Sequence, residues 1–259
     1  MKLFTWNDIL SILNGDSKED FLGGVKTGIS VGSFDGLHKG HRKLLGELLT
    51  AGRARGLACG VLTFSRPLPG IKHSSDYMGD LSTLDQRIRL FEELGLDFVI
   101  IVNFDDSFAS MMGADFLNIL LNVCNMELLS EGIDFRCGYK GATDAQAIRY
   151  WAEKNGVETI FVDPVYFREG TDEEERISSS YIRTMLSRGF FTGAAELLER
   201  PYEIDVAAMR RAGADQPALQ LLPPDGLYRT ENEKGELVRL EIKNGRICDL
   251  PDCDLVRFL

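Results

Sequence analysis

The stretch of sequence that decides the fold is Gly28-Ile29-Ser30-Val31-Gly32-Ser33-Phe34-Asp35-Gly36-Leu37-His38-Lys39-Gly40-His41. It opens with a short apolar run that predicts a buried strand, and it continues through a turn with three glycines. Glycine lets the backbone turn tightly and approach a ligand closely. A segment with leucines on one helical face follows the turn. The order of strand, glycine-rich turn and helix indicates an α/β fold with a ligand-binding loop.

The chemistry of this loop points to phosphate. The first turn of a helix presents unpaired N–H groups and a partial positive charge, which attract an anion. Two of the three histidines in the chain, His38 and His41, lie at this helix start. Their imidazoles can donate hydrogen bonds to phosphate oxygens, more strongly when protonated, and favour charge that develops on a phosphorus under attack. The alternative is an ordinary strand–turn–helix with two accidental histidines.

The rest of the first two hundred residues alternates between short apolar runs and helical patterns. Strands are predicted at residues 28–31, 60–64, 98–102, 125–129 and 159–162, and helices at residues 41–52, 84–94, 145–155, 179–187 and 193–200. Continuous apolar strands that alternate with helices predict a parallel sheet covered on both faces. Ligands of such sheets bind beyond the carboxyl ends of the strands, where the loop at 32–41 is placed.

The composition changes after residue 202. A polar stretch with several prolines is followed by three short β patterns at residues 227–229, 237–242 and 255–258, and Asn244-Gly245 predicts a hairpin turn. We therefore predict an α/β domain at residues 1–202 and a small β unit at residues 203–259.

The overall composition limits the possible partners and the cellular location of the protein. A formal net charge of −11 argues against a nucleic-acid partner. The sequence shows no leader segment and no run of 18 apolar residues, so we expect neither export nor a membrane span. Five scattered cysteines, an odd number, suit the reducing cytoplasm better than a disulfide framework. No cluster with metal-ligand spacing is apparent.

A second motif lies at Ile177-Ser178-Ser179-Ser180-Tyr181-Ile182-Arg183. Consecutive serines before a helix normally form an N-cap, which is the simpler interpretation. In a chain that also carries the loop at 32–41, a phosphate-binding helix start is the alternative, because Arg183 falls one turn into the helix.

Together the two motifs resemble the FMN adenylyltransferase module of bacterial bifunctional riboflavin kinase/FAD synthetases. That family belongs to the His-x-Gly-His nucleotidyltransferases, so the resemblance implies a Rossmann-like fold. The second motif is similar to the family's Ile-Ser-Ser-Thr-x-Ile-Arg, which contacts the phosphates of ATP. The resemblance extends over about residues 26–204. The chain differs from the family pattern at Pro67-Leu68-Pro69, where the family has Pro-His-Pro, and at Cys137 and Tyr181.

The resemblance implies a reaction in which ATP and FMN give FAD and pyrophosphate with the help of Mg²⁺, for which no protein ligand is predicted. It assigns three kinds of site residue. The catalytic residues are His38, His41 and Arg183; the nucleotide-binding residues are Gly32, Ser33, Phe34, Asp35, Gly36, Gly40, Ser178, Ser179 and Ser180; the flavin-binding residues are Phe64, Asp134 and Phe135.

Two other functions stay open at this point: transfer to another phosphate acceptor, and flavin-nucleotide binding without catalysis. Riboflavin kinase activity is not expected. Segments after residue 200 resemble parts of the family's kinase domain, but its Gly-Phe-Pro-Thr-Ala-Asn element is missing. Residues 203–259 are therefore interpreted as a reduced remnant of that domain, too short to close a full barrel. The sequence leaves the oligomeric state open.

Overall fold

The computed structural model describes residues 1–18, 20–67, 77–213 and 220–259. The chain forms two compact units, each built from three segments. The first contains Met1–Ser33, His41–Leu68 and Leu90–Pro164, and the second contains Phe34–Gly40, Pro69–Arg89 and Val165–Leu259. The domain boundary predicted after residue 202 remains a prediction.

The first unit is built on a six-stranded sheet in the order β1-β4-β3-β2-β5-β8, in which every pairing is parallel. Its strands, together with the short antiparallel pair β6–β7, are β1 Lys2–Thr5, β2 Thr27–Val31, β3 Ala58–Phe64, β4 Phe98–Val102, β5 Met126–Gly132, β6 Arg136–Cys137, β7 Thr143–Asp144 and β8 Glu158–Val162. The predicted parallel sheet is confirmed. The chain runs outward from β2 in both directions, so the topological switch point lies between β2 and β5.

Among the described residues, the helices that lie between these strands in the chain are α1 Trp6–Leu13, α2 Lys39–Arg53, α3 Leu84–Leu94, α4 Asp106–Ser110, α5 Gly113–Val123 and α6 Ala145–Asn155. The first six residues of α3 belong to the second unit. Helix α6 has the bounds that its sequence predicts. The Asp144 carboxylate accepts a hydrogen bond from the backbone N–H of Ala147 at 3.0 Å, and Gly156 ends the helix with a φ of +70°. Apolar side chains of the strands and helices form one buried core around Ile29, Leu62 and Phe98.

The second unit contains a five-stranded antiparallel sheet in the order β11-β15-β12-β13-β14. Its elements are β9 Tyr166–Phe167, β10 Glu175–Arg176, α7 Ser179–Ser187, α8 Phe191–Leu198, β11 Glu203–Asp205, α9 Val206–Ala212, β12 Gly226–Asn232, β13 Leu237–Lys243, β14 Arg246–Ile247 and β15 Leu255–Phe258. Asn244 and Gly245 form the tight turn between β13 and β14, with φ values of +54° and +67°. The antiparallel strands predicted near the C-terminus are present, and the apolar core of the second unit, around Ile182, Leu197 and Val256, includes residues of α7 and α8 as well as of these strands.

The sequence analysis did not predict three longer elements, α1, α5 and α9, or the shorter elements β1, β6, β7, β9, β10, β11, β14 and α4, and α8 begins two residues earlier than expected. Among the described residues, no helix combines the length and the apolar character needed to cross a membrane.

Candidate functional site

The loop at residues 32–41 connects β2 to α2, as predicted. The division between the two compact units falls inside it: Phe34–Gly40 belongs to the second unit, whereas Gly32, Ser33 and His41 belong to the first.

The loop in the second unit holds an unusual backbone conformation. Phe34 and Leu37 are buried and have φ values of +48° and +41°, which cost a non-glycine residue about 1–3 kcal/mol each. Gly36 has a φ of +79°, and a Cβ there would lie 2.8 Å from Leu81 Cδ1 and 3.2 Å from Leu198 Cδ2. Glycine is therefore required at this position both for its conformation and for space.

Asp35 holds the loop in this shape. Its carboxylate accepts hydrogen bonds from the backbone N–H groups of Leu81 and Ser82 at 2.9–3.0 Å and from the Ser82 hydroxyl at 3.1 Å. The Ser82 hydroxyl in turn accepts the N–H of Gly36 at 2.9 Å. Asp35 is 2% exposed and also pairs with Arg183. Because all these contacts of the Asp35 side chain are with other groups of the protein, they indicate that Asp35 shapes the loop.

The serines of the second motif lie at the start of α7. Ser178 is the N-cap, because its hydroxyl accepts the backbone N–H of Tyr181 at 3.2 Å. The Ser179 hydroxyl donates to the carbonyl oxygen of Asp35 at 2.8 Å, and Ser180 is exposed. The simpler interpretation of these serines as a cap is therefore correct for Ser178, while Ser179 joins the second motif to the loop.

Arg183 is buried, with 4% of its surface exposed, and its guanidinium is held by three partners. Nε donates to the carbonyl oxygen of Gly79 at 2.8 Å, and Nη2 donates to Asp35 and to the Tyr77 hydroxyl, the latter at 3.1 Å. The guanidinium also lies over the Tyr77 ring, 4.9 Å from its centroid. Arg183 therefore connects the two motifs through a buried ion pair.

His38 lies in a positively charged surrounding. It is 5% exposed, and its pKa is lowered to about 3, first by burial and then by the charges of Arg176, Arg200 and Arg183. The imidazole is consequently neutral near pH 7, so the protonated donor considered from the sequence is not the resting state. Three arginine charges acting on one buried imidazole favour an anion at this place.

The His38 environment predicts a pH dependence of stability. The unfolded chain binds a proton on His38 below about pH 6.5, whereas the folded protein does so only near pH 3. The unfolded state therefore binds more protons in this window, and His38 lowers the free energy of unfolding as the pH falls, by about 2 kcal/mol between pH 7 and pH 5. In His38→Gln this contribution should disappear, which urea unfolding of both proteins at the two pH values measures. An equal pH effect in the two proteins would contradict the burial of a neutral imidazole.

In the first unit, the chain leaves β2 at the carboxyl edge of the sheet. The N–H of Gly32 donates to the carbonyl oxygen of Leu62 at 3.0 Å. The hydroxyl of Thr63 donates to the carbonyl oxygen of Ser33 at 3.3 Å. These bonds continue the β2–β3 ladder past the end of β2. His41 lies half-buried in the first turn of α2.

The three residues predicted to bind flavin have different surroundings. Phe64 is buried and packs edge-on against Phe104 and Phe108, with ring centroids 5.9 and 6.0 Å apart. Asp134 is exposed, and Phe135 is half-buried against the core of the first unit. Phe64 thus has a packing role independent of any ligand.

Sequence reasoning missed Glu131, the second-to-last residue of β5, beside the topological switch point. It is 1% exposed, and its carboxyl accepts the backbone N–H of Val31 at 2.6 Å. Burial raises its pKa well above the usual range of a glutamate. A charged residue inside the apolar run of β5 was the available signal.

A Mg²⁺ site made by the protein would need several oxygen ligands close together. No three histidine, cysteine, aspartate or glutamate side chains converge within the described residues, and Asp35 is already committed to Leu81, Ser82 and Arg183.

Comparison with known proteins identifies relatives. A family model described as FAD synthetase matches residues 25–181. The bifunctional riboflavin kinase/FMN adenylyltransferase of Bacillus subtilis is 28% identical over 251 residues, which cover 87% of the chain and 72% of the relative. The protein of that name in Escherichia coli K12 is 32% identical over 178 residues, or 68% of the chain, and the match spans only 55% of that relative.

A solved structure has the same fold. The crystal structure of a macrolide-efflux protein from Streptococcus pneumoniae superimposes with a TM-score of 0.69, covering 90% of this chain and 85% of that one. The two sequences are 22% identical, so the likeness concerns the fold alone.

Proposed function

Because the chain belongs to the FAD synthetase family, we propose that it is an FMN adenylyltransferase, which transfers the adenylyl group of ATP to FMN and releases pyrophosphate. The observation that carries this proposal is the second unit's loop at 34–40. It is tied to the start of α7 and places the imidazole of His38 among three arginine charges. This arrangement suits a polyphosphate better than a neutral ligand.

In the proposed reaction, an oxygen of the FMN phosphate attacks the α-phosphorus of ATP in line and displaces pyrophosphate. Such a transfer needs positioning and charge stabilisation and no covalent bond to the enzyme. Neutral His38 can donate one N–H to a phosphate oxygen, and His41 provides a second donor. Backbone at Gly32, Ser33 and Gly40 would line the nucleotide.

Arg183 is proposed to act through its charge and through Asp35. Its Nε and Nη2 donate to Gly79, Tyr77 and Asp35, so the guanidinium cannot bind pyrophosphate through these two nitrogens without breaking these bonds. Ser178 and Ser179 are likewise proposed to orient the helix start, whose free N–H groups meet the phosphates. Exposed Ser180 is the serine proposed to contact them directly.

The other parts of the proposal are the metal ion, the flavin-side residues, the class of substrate and the location of the protein. Mg²⁺ would arrive on the phosphates of ATP and neutralise part of their charge. Phe64, Asp134 and Phe135 remain the proposed flavin-side residues. The net charge of −11 supports small-molecule substrates rather than nucleic acid, and the five cysteines support a cytoplasmic location.

The proposed reaction has a direct test. Purified protein with ATP, Mg²⁺ and FMN should form FAD and pyrophosphate, which chromatography of the flavins and a pyrophosphate assay measure. The same mixture with riboflavin in place of FMN should form no FMN above background, because this sequence lacks the Gly-Phe-Pro-Thr-Ala-Asn element of the family's kinase domain. Protein that binds ATP but forms no FAD would favour another phosphate acceptor or a binding role. Formation of FMN from riboflavin would contradict the loss of kinase activity.

A further inference from the structure

A single side chain, that of Gln220, joins three parts of the second unit. Its Oε1 accepts the backbone N–H of Asp205 at 2.8 Å. Its Nε2 donates to the carbonyl oxygen of Glu203 and to Oε1 of Gln86, both at 2.9 Å, and lies 3.2 Å from the carbonyl oxygen of Leu81. Gln220 is 2% exposed, so each of these bonds is shielded from water.

The backbone next to Gln220 reinforces this connection. Asp80 and Gln220 form a parallel bridge, and the N–H of Leu221 donates to the carbonyl oxygen of Asp80 at 2.8 Å. The approach is close enough that a Cβ on Gly79 would lie 2.7 Å from the nitrogen of Leu221. The Tyr202 hydroxyl donates to the carbonyl oxygen of Leu221 at 2.6 Å and anchors the segment from the other side.

The segment that Gln220 holds is the one that holds the loop. Leu81 accepts from Gln220 through its carbonyl oxygen and donates its N–H to Asp35. The next residue, Ser82, donates to Asp35 and accepts the N–H of Gly36. A single residue, Leu81, therefore separates Gln220 from the carboxylate that shapes the loop.

We propose that Gln220 is a positioning residue for the adenylyl transfer, through which the C-terminal segment 220–259 keeps Leu81 and Ser82 in place beneath Asp35. This inference rests on the proposed function and gives the C-terminal β strands a role in it. Its physical basis is that a displacement of about 1 Å in a group that positions a substrate can cost about 10²-fold in rate. Gln220 touches no substrate and acts through the loop.

The test compares Gln220→Ala with Asn232→Ala. Asn232 is a second buried amide of the same sheet, 7% exposed, but the hydrogen bonds of its side chain stay within its own hairpin, to Lys234 and Glu236. Both variants lose a buried amide and both should lose stability. Only Gln220→Ala should weaken the binding of ATP with Mg²⁺, by about tenfold, which calorimetry without FMN measures. The same variant should lower kcat by about tenfold or more and leave the KM for FMN unchanged within about twofold.

A third variant guards against loss of folding. Gln220→Met keeps most of the side-chain volume without burying a charge and loses the Nε2 donor to Leu81 and Gln86, so it should reproduce the ATP effect in a folded protein. ATP affinity at the wild-type value in both Gln220 variants would overturn the proposal, as would an equal loss in Asn232→Ala. Because ATP affinity is measured without FMN, a wild-type protein that forms no FAD would overturn the proposed function and leave this comparison decisive.

Discussion

Replacing Asp35 with asparagine should lower the free energy of unfolding by about 3–5 kcal/mol, the usual cost of removing one partner of a buried ion pair. The guanidinium of Arg183 is 4% exposed and would remain charged with no carboxylate opposite it. Arg87, which is fully buried, would lose the favourable charge of Asp35 as well. Urea unfolding of wild-type and variant protein measures the difference.

A double-mutant cycle attributes this cost to the pair. Asp35→Asn combined with Arg183→Met should be clearly more stable than the sum of the two single changes predicts, because neither buried charge is then left alone. As a control, Glu127→Gln breaks the exposed pair with Lys26 and should change the stability by less than about 1 kcal/mol. Additive effects at Asp35 and Arg183 would mean that the pair does not hold the two motifs together.

Replacing His41 with alanine should reduce the rate of FAD formation by roughly 10²-fold or more, which is the usual cost of removing one preorganised donor to developing charge. The proposed mechanism places this imidazole in the first turn of α2, where the helix N-terminus already favours negative charge. The expected loss lies in kcat. Steady-state kinetics with ATP and FMN varied in turn measures it.

The stability of the His41 variant separates chemistry from folding. His41 is half-buried rather than exposed, so we expect a cost of about 1 kcal/mol, too little to unfold the protein. Glu47→Ala, on the exposed side of the same helix, should change neither the rate nor the stability by much. Full activity in His41→Ala would remove this residue from the mechanism.

Local signals were sufficient for most of the first unit. The apolar runs at 28–31, 60–64 and 98–102 became the strands β2, β3 and β4, and α6 has its predicted bounds. The N-terminal helix α1 was missed although its capping box was readable: Thr5 and Asp8 exchange hydrogen bonds at 2.6 and 3.2 Å. Its eight residues make only about two helical turns, too few for an apolar periodicity to be recognised. Strand β1 was missed because it is a short edge strand with a largely exposed pattern.

By itself, the sequence determined the parallel sheet, the phosphate-type loop after the first central strand and the capped helix at the second motif. These features follow from side-chain periodicity, glycine positions and capping residues, all of which act between near neighbours in the chain. Only the tertiary structure decided what the site residues do. Asp35 and Arg183 are 148 residues apart, and Gln220 and Leu81 are 139 apart. The neutral state of His38 likewise depends on burial and on arginines from distant segments. Such pairings depend on tertiary packing, because a polar or charged group without a partner costs much free energy only where packing excludes water.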